Sequence, residues 1–156
     1  MRASNAGLGE TTECTDITAR KVHQYAVVAT AVLGLVIGGP LGVLLLVFDG
    51  AVMAIGRFWW PADVFRQAVW RFAQPRGWFA ARSIAEDRET RRVARVFGGG
   101  WLVVMALALA LGSPLLAVIL ALPLLAMILA DATFDFCALC LVRYQARMLR
   151  FRLTHR

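Results

Sequence analysis

Two cysteines lie close enough in the sequence to act together. Cys137 and Cys140 form a C-x-x-C element in the last apolar segment of the chain. A dithiol of this kind can exchange disulfide bonds, carry a sulfane sulfur atom or supply ligands to a metal. At about 100° per residue, an α-helix would place Thr133, Cys137, Cys140 and Tyr144 on one face. The first candidate site is therefore this cysteine pair, with Tyr144 beside it.

The same pair also has a structural interpretation, because cysteine often packs as a small apolar residue between helices. A metal site is less favoured, since two thiolates supply only half of a tetrahedral zinc site, and a dimer would have to complete it. The chain has two histidines, His23 and His155, which would both lie on the cytoplasmic side. We therefore expect no resident metal or cofactor, and the pattern leaves open whether the pair reacts.

Aspartates within apolar segments form the second group of candidates. Asp131 and Asp135 are four residues apart near the end of the last segment. An intramembrane carboxylate is costly and is by default a functional candidate. Near the membrane boundary, however, both can simply form ion pairs. The expected partners are Arg57, Arg95 or Arg143.

Asp49 is the ninth residue of the second apolar segment, near its middle. It has no arginine within about one helical turn in sequence. Two interpretations stay open: a proton site, and a polar clamp in which Asp49 is hydrogen-bonded to Thr30 or Ser113.

The elements that carry these residues are apolar segments of near-membrane length. The chain has 156 residues and is 60% apolar, with a mean hydropathy of +0.65; soluble domains are about 45–50% apolar. Segments at about residues 22–38, 41–60, 96–111 and 115–142 approach the roughly 20 residues that cross a bilayer. Uncharged Gly/Pro turns join the first to the second and the third to the fourth. The sequence therefore predicts an all-α membrane protein with four transmembrane helices as two hairpins.

Charge distribution predicts the orientation. The net charge is +7, and every Arg and Lys lies in the two tails or in the central stretch and its borders. The positive-inside rule then makes both termini cytoplasmic in a multi-pass protein of the cytoplasmic membrane. Two re-entrant hairpins would have the same sidedness. The cations suit anionic lipids of the inner leaflet and do not indicate nucleic acid. Residues 1–21 are predicted to be a mobile cytoplasmic tail, residues 22–147 the membrane domain, and residues 148–156 a basic cytoplasmic tail.

The central segment, residues 61–95, carries an amphipathic pattern. Its apolar residues recur at helical spacing, at Val64, Phe65, Ala68, Val69 and Phe72. Aromatic residues precede and follow them, as is typical of a helix at headgroup depth. The segment is therefore predicted to be an interfacial helix between the hairpins or, alternatively, a cytoplasmic helix packed under the bundle.

The chain resembles a bacterial membrane family known as domain of unknown function 4395, over roughly residues 16–147. Lys21-Val22-His23-Gln24 matches the family's basic-Val-x-Gln element, and Arg92-Val93-Ala94 matches its Arg-Phe-Ala element with Val in place of Phe. Phe136-Cys137-Ala138-Leu139-Cys140 matches the Phe-Cys-x-Gly-Cys element with Leu139 in place of Gly. Tyr144 falls one position later than the family's Tyr.

The resemblance implies a four-span membrane protein and favours a thioredoxin-like or sulfurtransferase partner. Our first hypothesis is a cytoplasmic-side dithiol that performs thiol–disulfide exchange or sulfur relay with a soluble partner. The second is a non-enzymatic structural or assembly subunit of a larger membrane complex. The third is a small proton-coupled transporter that uses Asp49. Whether the protein is an enzyme is left open.

Overall fold

The computed structural model describes residues 12–135 and Gln145. Cys137, Cys140, Tyr144 and the predicted C-terminal tail lie outside these described residues. In chain order, the elements are β1 (Thr12–Asp16), α1 (Ile17–Ile37), α2 (Gly39–Phe58), a 3₁₀ turn (Trp60–Ala62), α3 (Val64–Ala68), a π-helical turn (Val69–Ala73), β2 (Ser83–Asp87), α4 (Arg88–Ala110) and α5 (Pro114–Phe134).

Local signals explain where the long helices begin and end. Asp16 caps α1 by accepting hydrogen bonds from the backbone N–H groups of Thr18 (3.0 Å) and Ala19 (3.3 Å). This cap starts α1 at Ile17, five residues before the predicted span, within the segment predicted to be a tail. Gly38 has a positive φ of 65°, which suits glycine and lets the chain reverse into α2. Pro114 occupies the first position of α5, where no intrahelical N–H is needed.

Membrane-spanning potential is strongest in the later helices. Three described helices are long and apolar enough to cross a bilayer: Gly39–Phe58, Glu89–Ala110 and Pro114–Phe134. The 21-residue α1 is of similar length, but its first two turns carry Arg20, Lys21, His23 and Gln24. The prediction of a helical membrane protein is thus supported by at least these three candidate spans.

The helices pack around a core in which α2 and α4 make the most extensive contact. Their closest approach is at Gly50 and Gly99, where a Cβ atom on either residue would lie within 2.8 Å of the other's carbonyl oxygen. The core contains Val27 of α1, Leu46 of α2, Leu102 of α4 and Leu124 of α5. Small residues therefore bring the backbones together, and larger apolar side chains fill the space on either side.

A two-stranded antiparallel ribbon adds β-structure to the predicted all-α fold. β1 pairs with β2, with Cys14 opposite Ala85, and the Ile17 N–H continues the pairing to the Arg82 carbonyl at 2.8 Å. The ribbon ends at Asp87, and α4 begins directly after it at Arg88, eight residues before the predicted third span. Five-residue strands that pair across some seventy positions leave no periodic pattern in the sequence.

The predicted central helix is present as α3 and the π-helical turn, and its apolar residues lie in two environments. Its π-helical turn adds a residue and rotates the downstream side chains. Val69 and Ala73 pack against Ala19 in the first turn of α1. Val64 and Phe72, two residues of the predicted apolar pattern, are 42% and 59% exposed. The helix thus packs beside the first turns of α1 while aromatic side chains remain on its surface.

Candidate functional site

One end of the helix bundle collects nearly all the described charged side chains. It comprises the first turns of α1 and α4, the last turns of α2 and α5, and the central segment. We call this region the charged end. The turns at the opposite end, around Gly38 and Ser113, contain no charged residue. Among the described residues, Asp49 is the one acidic or basic residue that lies near the middle of a long helix.

Asp63 is the centre of a buried ion-pair cluster at the charged end. Its side chain is 2% exposed. Its Oδ1 lies 2.8 Å from Nδ1 of His23, and its Oδ2 lies 2.8 Å from Nη2 of Arg95 and 3.4 Å from Nε of Arg66. Because an ionised carboxylate can only accept, Nδ1 of His23 must carry the hydrogen in this contact. One carboxylate therefore links α1, α3 and α4.

The protonation state of Asp63 follows from opposing effects. Burial alone would raise the pKa of Asp63. The hydrogen bond and charge of His23, together with the charges of Arg95 and Arg66, outweigh that effect and lower the pKa to about 2. The carboxylate is therefore ionised at neutral pH.

Two further residues complete this cluster. Arg95 also donates from Nη2 to the Val52 carbonyl oxygen of α2 at 3.3 Å. Gly56 leaves room for the pair, because a Cβ there would lie 3.0 Å from Cβ of Asp63 and 3.2 Å from Nη2 of Arg95. The sequence did not reveal the cluster: Asp63 is not among the candidates drawn from it, and His23 appears there as a cytoplasmic-side histidine and within a family element. The family element was the one signal that pointed to His23.

Asp131 and Asp135 are ion-paired, as predicted, but with other partners. Asp131, near the end of α5, accepts hydrogen bonds from Nη1 of Arg91 at 2.7 Å and from Nε2 of Gln24. Asp135 accepts hydrogen bonds from Arg20 and from Nζ of Lys21 at 3.0 Å. Arg95, one predicted partner, bonds to Asp63 instead, and Arg143 lies outside the described residues.

Asp135 marks the point at which the chain leaves α5 toward the cysteine pair. Its backbone is left-handed, with φ 55° and ψ 26°, and ends the helix. The Lys21 hydrogen bond, and the charges of Lys21 and Arg20, lower the pKa of Asp135 against a small opposing effect of burial. The first turn of α1 therefore anchors the end of α5 electrostatically.

Asp49 lies apart from these clusters. It is fully buried, and both carboxyl oxygens lie close to Oγ1 of Thr30, at 2.7 and 2.6 Å. The predicted contact with Thr30 is therefore present, in preference to the one with Ser113. Asp49 joins α2 to α1 about midway along both helices.

The described thiol is that of Cys14, which is exposed on β1 and unbonded. Among the residues that the structure describes, no group of three or more His, Cys, Asp and Glu side chains is arranged to hold a metal ion.

Comparisons with known proteins gave one match. The family model described as Domain of unknown function (DUF4395) matches residues 16–148, which is most of the chain. Neither the search of curated proteins nor the search of solved structures gave a match. The match begins at the Asp16 cap of α1 and includes the charged end.

Proposed function

The chain belongs to the DUF4395 family, and from this premise we propose that it is a dithiol protein of the cytoplasmic membrane. In this proposal Cys137 and Cys140 exchange disulfides, or relay sulfur, with a soluble thioredoxin-like or sulfurtransferase protein. The observation that carries the proposal is the anchoring of Asp135 by Arg20 and Lys21, two residues before Cys137.

A four-span arrangement is the membrane topology that we propose. α1 supplies the fourth span: its 21 residues correspond to about 31 Å of helix. Its polar first turns would lie at headgroup depth, beside the ends of α2 and α5. The charged end would face the cytoplasm under the positive-inside rule, and the uncharged turns at Gly38 and Ser113 would face the opposite side.

This topology supports a cysteine pair within reach of soluble proteins. α5 ends at Phe134, and Asp135 is half-exposed at the charged end. Two residues of chain extend by at most about 7 Å. The cysteine pair therefore starts close to the anchored Asp135 and not at the middle of the bilayer.

Electrostatics at this point favour a reactive thiol. Arg20 and Lys21 place two positive charges beside Asp135, two residues before Cys137. Arg143 and Arg147 follow the pair in the sequence. Positive charge near a cysteine stabilises the thiolate, which is the attacking species in disulfide exchange.

The proposed exchange has two balanced steps. One cysteine thiolate attacks the disulfide of an oxidised partner, which forms a mixed disulfide and releases one partner thiolate. The second cysteine, as thiolate, attacks the mixed disulfide and releases the other. The Cys137–Cys140 pair is oxidised by two electrons, and the partner disulfide is reduced to a dithiol. In the sulfur-relay form, a thiolate accepts the outer sulfur of a partner persulfide and releases the partner's thiolate.

Trapping of mixed disulfides in native membranes tests this proposal. In a Cys14→Ser background, Cys137→Ser and Cys140→Ser each leave one thiol of the pair. We expect one single variant to hold a thioredoxin-like or sulfurtransferase protein through a bond that reductant cleaves. The Cys137→Ser/Cys140→Ser double variant in that background should hold none. The same double variant with Cys14 retained serves as a labelling control for access from the same face.

The decisive contrary result is a failure of access. If Cys14 reacts with a maleimide in inverted vesicles while fully reduced Cys137 and Cys140 do not, the dithiol proposal is wrong.

A second candidate, a non-enzymatic subunit of a larger membrane complex, is favoured by exposed aromatic side chains in the central segment and directly before it. Trp59, Trp60 and Trp78 are each more than 60% exposed. This alternative predicts a stoichiometric partner after purification in mild detergent, retained by the double cysteine variant.

A further inference from the structure

The contacts of Thr30 reveal a shortage of hydrogen atoms around Asp49. Oγ1 of Thr30 lies 2.8 Å from the Ala26 carbonyl oxygen, within its own helix. The same atom lies 2.7 and 2.6 Å from the two carboxyl oxygens of Asp49. A threonine hydroxyl carries one hydrogen, and a carbonyl oxygen can only accept. If Asp49 were ionised, it too could only accept, and one hydrogen would have to serve both partners.

A proton on Asp49 removes this shortage. The carboxylic acid donates to Oγ1 of Thr30, and the hydroxyl donates to the carbonyl oxygen of Ala26. Two of the three short oxygen–oxygen contacts then contain a hydrogen, and the two bonds run in one direction from α2 into α1. Without that proton, the fully buried Asp49 would be a charged carboxylate that shares the Thr30 hydroxyl with the Ala26 carbonyl, which is costly away from water.

Among the residues that the structure describes, none brings a charge to Asp49 that would stabilise an ionised carboxylate. The next residue, Gly50, packs against Gly99, Leu102 and Val103 of α4. The charged or titratable groups on the packed helices lie at the charged end and have other partners. They include His23 on α1 and Arg95 on α4, bonded to Asp63, and Asp131 on α5, bonded to Arg91.

Distance along α1 supports this separation. His23 precedes Thr30 by seven residues, which is two helical turns, or about 10 Å of helix rise. Within the part of the chain that the structure describes, the partner of Asp49 is thus the Thr30 hydroxyl. A buried carboxylate with no cation is expensive, whereas a hydrogen-bonded carboxylic acid is tolerated.

We propose that Asp49 and Thr30 form a proton-binding site inside the helix bundle, in which Asp49 holds a proton as a neutral carboxylic acid. The ligand of this site is the proton itself. Release of the proton would leave Asp49 and the Ala26 carbonyl competing for one hydroxyl hydrogen, and would weaken the contact between α1 and α2. Proton occupancy is thereby coupled to helix packing, independently of the dithiol.

Infrared difference spectroscopy of the full chain in lipid vesicles tests the proposal. At neutral pH the wild-type protein should show the carbonyl stretch of a hydrogen-bonded carboxylic acid, and the Asp49→Asn variant should lack it. Thr30→Val keeps the side-chain shape but removes the hydroxyl, so the band should move to higher frequency. Asp49→Asn should fold normally, because its amide can donate to Thr30 in place of the acid.

Labelling with ¹³C-aspartate shifts the aspartate carboxyl bands of the wild-type protein, so they can be assigned without a variant that could fail to fold. A labelled acid band that disappears as the pH is raised supports a proton site that can be emptied. A neutral-pH spectrum with only carboxylate bands from aspartate would overturn the proposal. So would an acid band that persists unchanged in Asp49→Asn.

Discussion

At the scale of single residues, Asp63 has the environment that most depends on its partners. A carboxylate buried to 2% exposure would be unstable alone, but His23, Arg66 and Arg95 surround it. Removal of one partner from a buried ion pair typically costs about 3–5 kcal/mol, because the other charge stays buried. Asp63 therefore holds three elements together only while it remains ionised.

This dependence predicts how stability varies with acidity. The pKa of Asp63 is lowered from 3.8 to about 2 in the folded protein. A lowered pKa means that the stabilisation is complete above the unfolded value, near pH 4, and is lost as the pH falls toward 2. The loss should be about 2 kcal/mol. Unfolding of the purified protein, measured between pH 6 and pH 2, checks this expectation.

The matched variant is Asp63→Asn, which keeps the shape and removes the charge. It should be less stable than the wild type at neutral pH and should depend less on pH in that window. Parallel pH curves for the two proteins would contradict a role for Asp63 ionisation.

At the scale of elements, the contact between α2 and α4 depends on which of three consecutive glycines in α4 faces α2. Gly98, Gly99 and Gly100 are consecutive in α4, but their environments differ. A Cβ at Gly99 would lie 2.7 Å from the Gly50 carbonyl oxygen and 3.0 Å from Cβ of Ala54, whereas one at Gly100 would meet nothing within 4 Å. Gly99 is therefore required by packing, and Gly100 is not.

Alanine substitution at these two neighbours should separate the effects. Gly99→Ala forces α2 and α4 apart, and should lower the free energy of unfolding by about 1–3 kcal/mol. Gly100→Ala should be neutral or stabilising by up to about 1 kcal/mol, since alanine favours helix. Thermal unfolding in one detergent provides the comparison. Equal losses for both variants would argue against a close α2–α4 contact.

At the scale of the whole molecule, the separation of charge sets the proposed orientation. Described charged residues other than Asp49 are gathered at the charged end, and the Ser113 turn at the other end is exposed and uncharged. Four crossings would place these ends on opposite faces of the membrane, whereas re-entrant hairpins would not expose Ser113 on the far side.

Single-cysteine labelling distinguishes the two topologies. Ser113→Cys, in a chain whose native cysteines are replaced by Ser, should react with an impermeant maleimide from outside the cell. A chain that keeps only Cys14, which is exposed on β1, should react only in inverted vesicles. Labelling of both positions from the same side would exclude the four-span arrangement.

The positions of the helices and turns could be predicted from the sequence more fully than the contacts within the candidate sites. The apolar segments and the turns at Gly38–Pro40 and Gly112–Pro114 follow from local composition and helical spacing. For Asp49 the sequence left Thr30 and Ser113 as alternative partners, and the packing of α1 against α2 selected Thr30. The β1–β2 ribbon did not follow from local composition or spacing. Five residues of pairing are too short to alter a periodic pattern.

The sequence by itself determined that the chain is helical, rich in membrane-length apolar segments, and charged at alternate helix ends, because these properties depend on composition and order. Only the tertiary structure decided which charges meet. Arg95 is 32 residues from Asp63 and His23 is 40 residues away, so helix packing alone selected these partners. The same packing pairs Asp131 with Arg91, and Asp135 with Arg20 and Lys21. Long-range ion pairs carry no spacing rule, since they depend on how whole helices align in space.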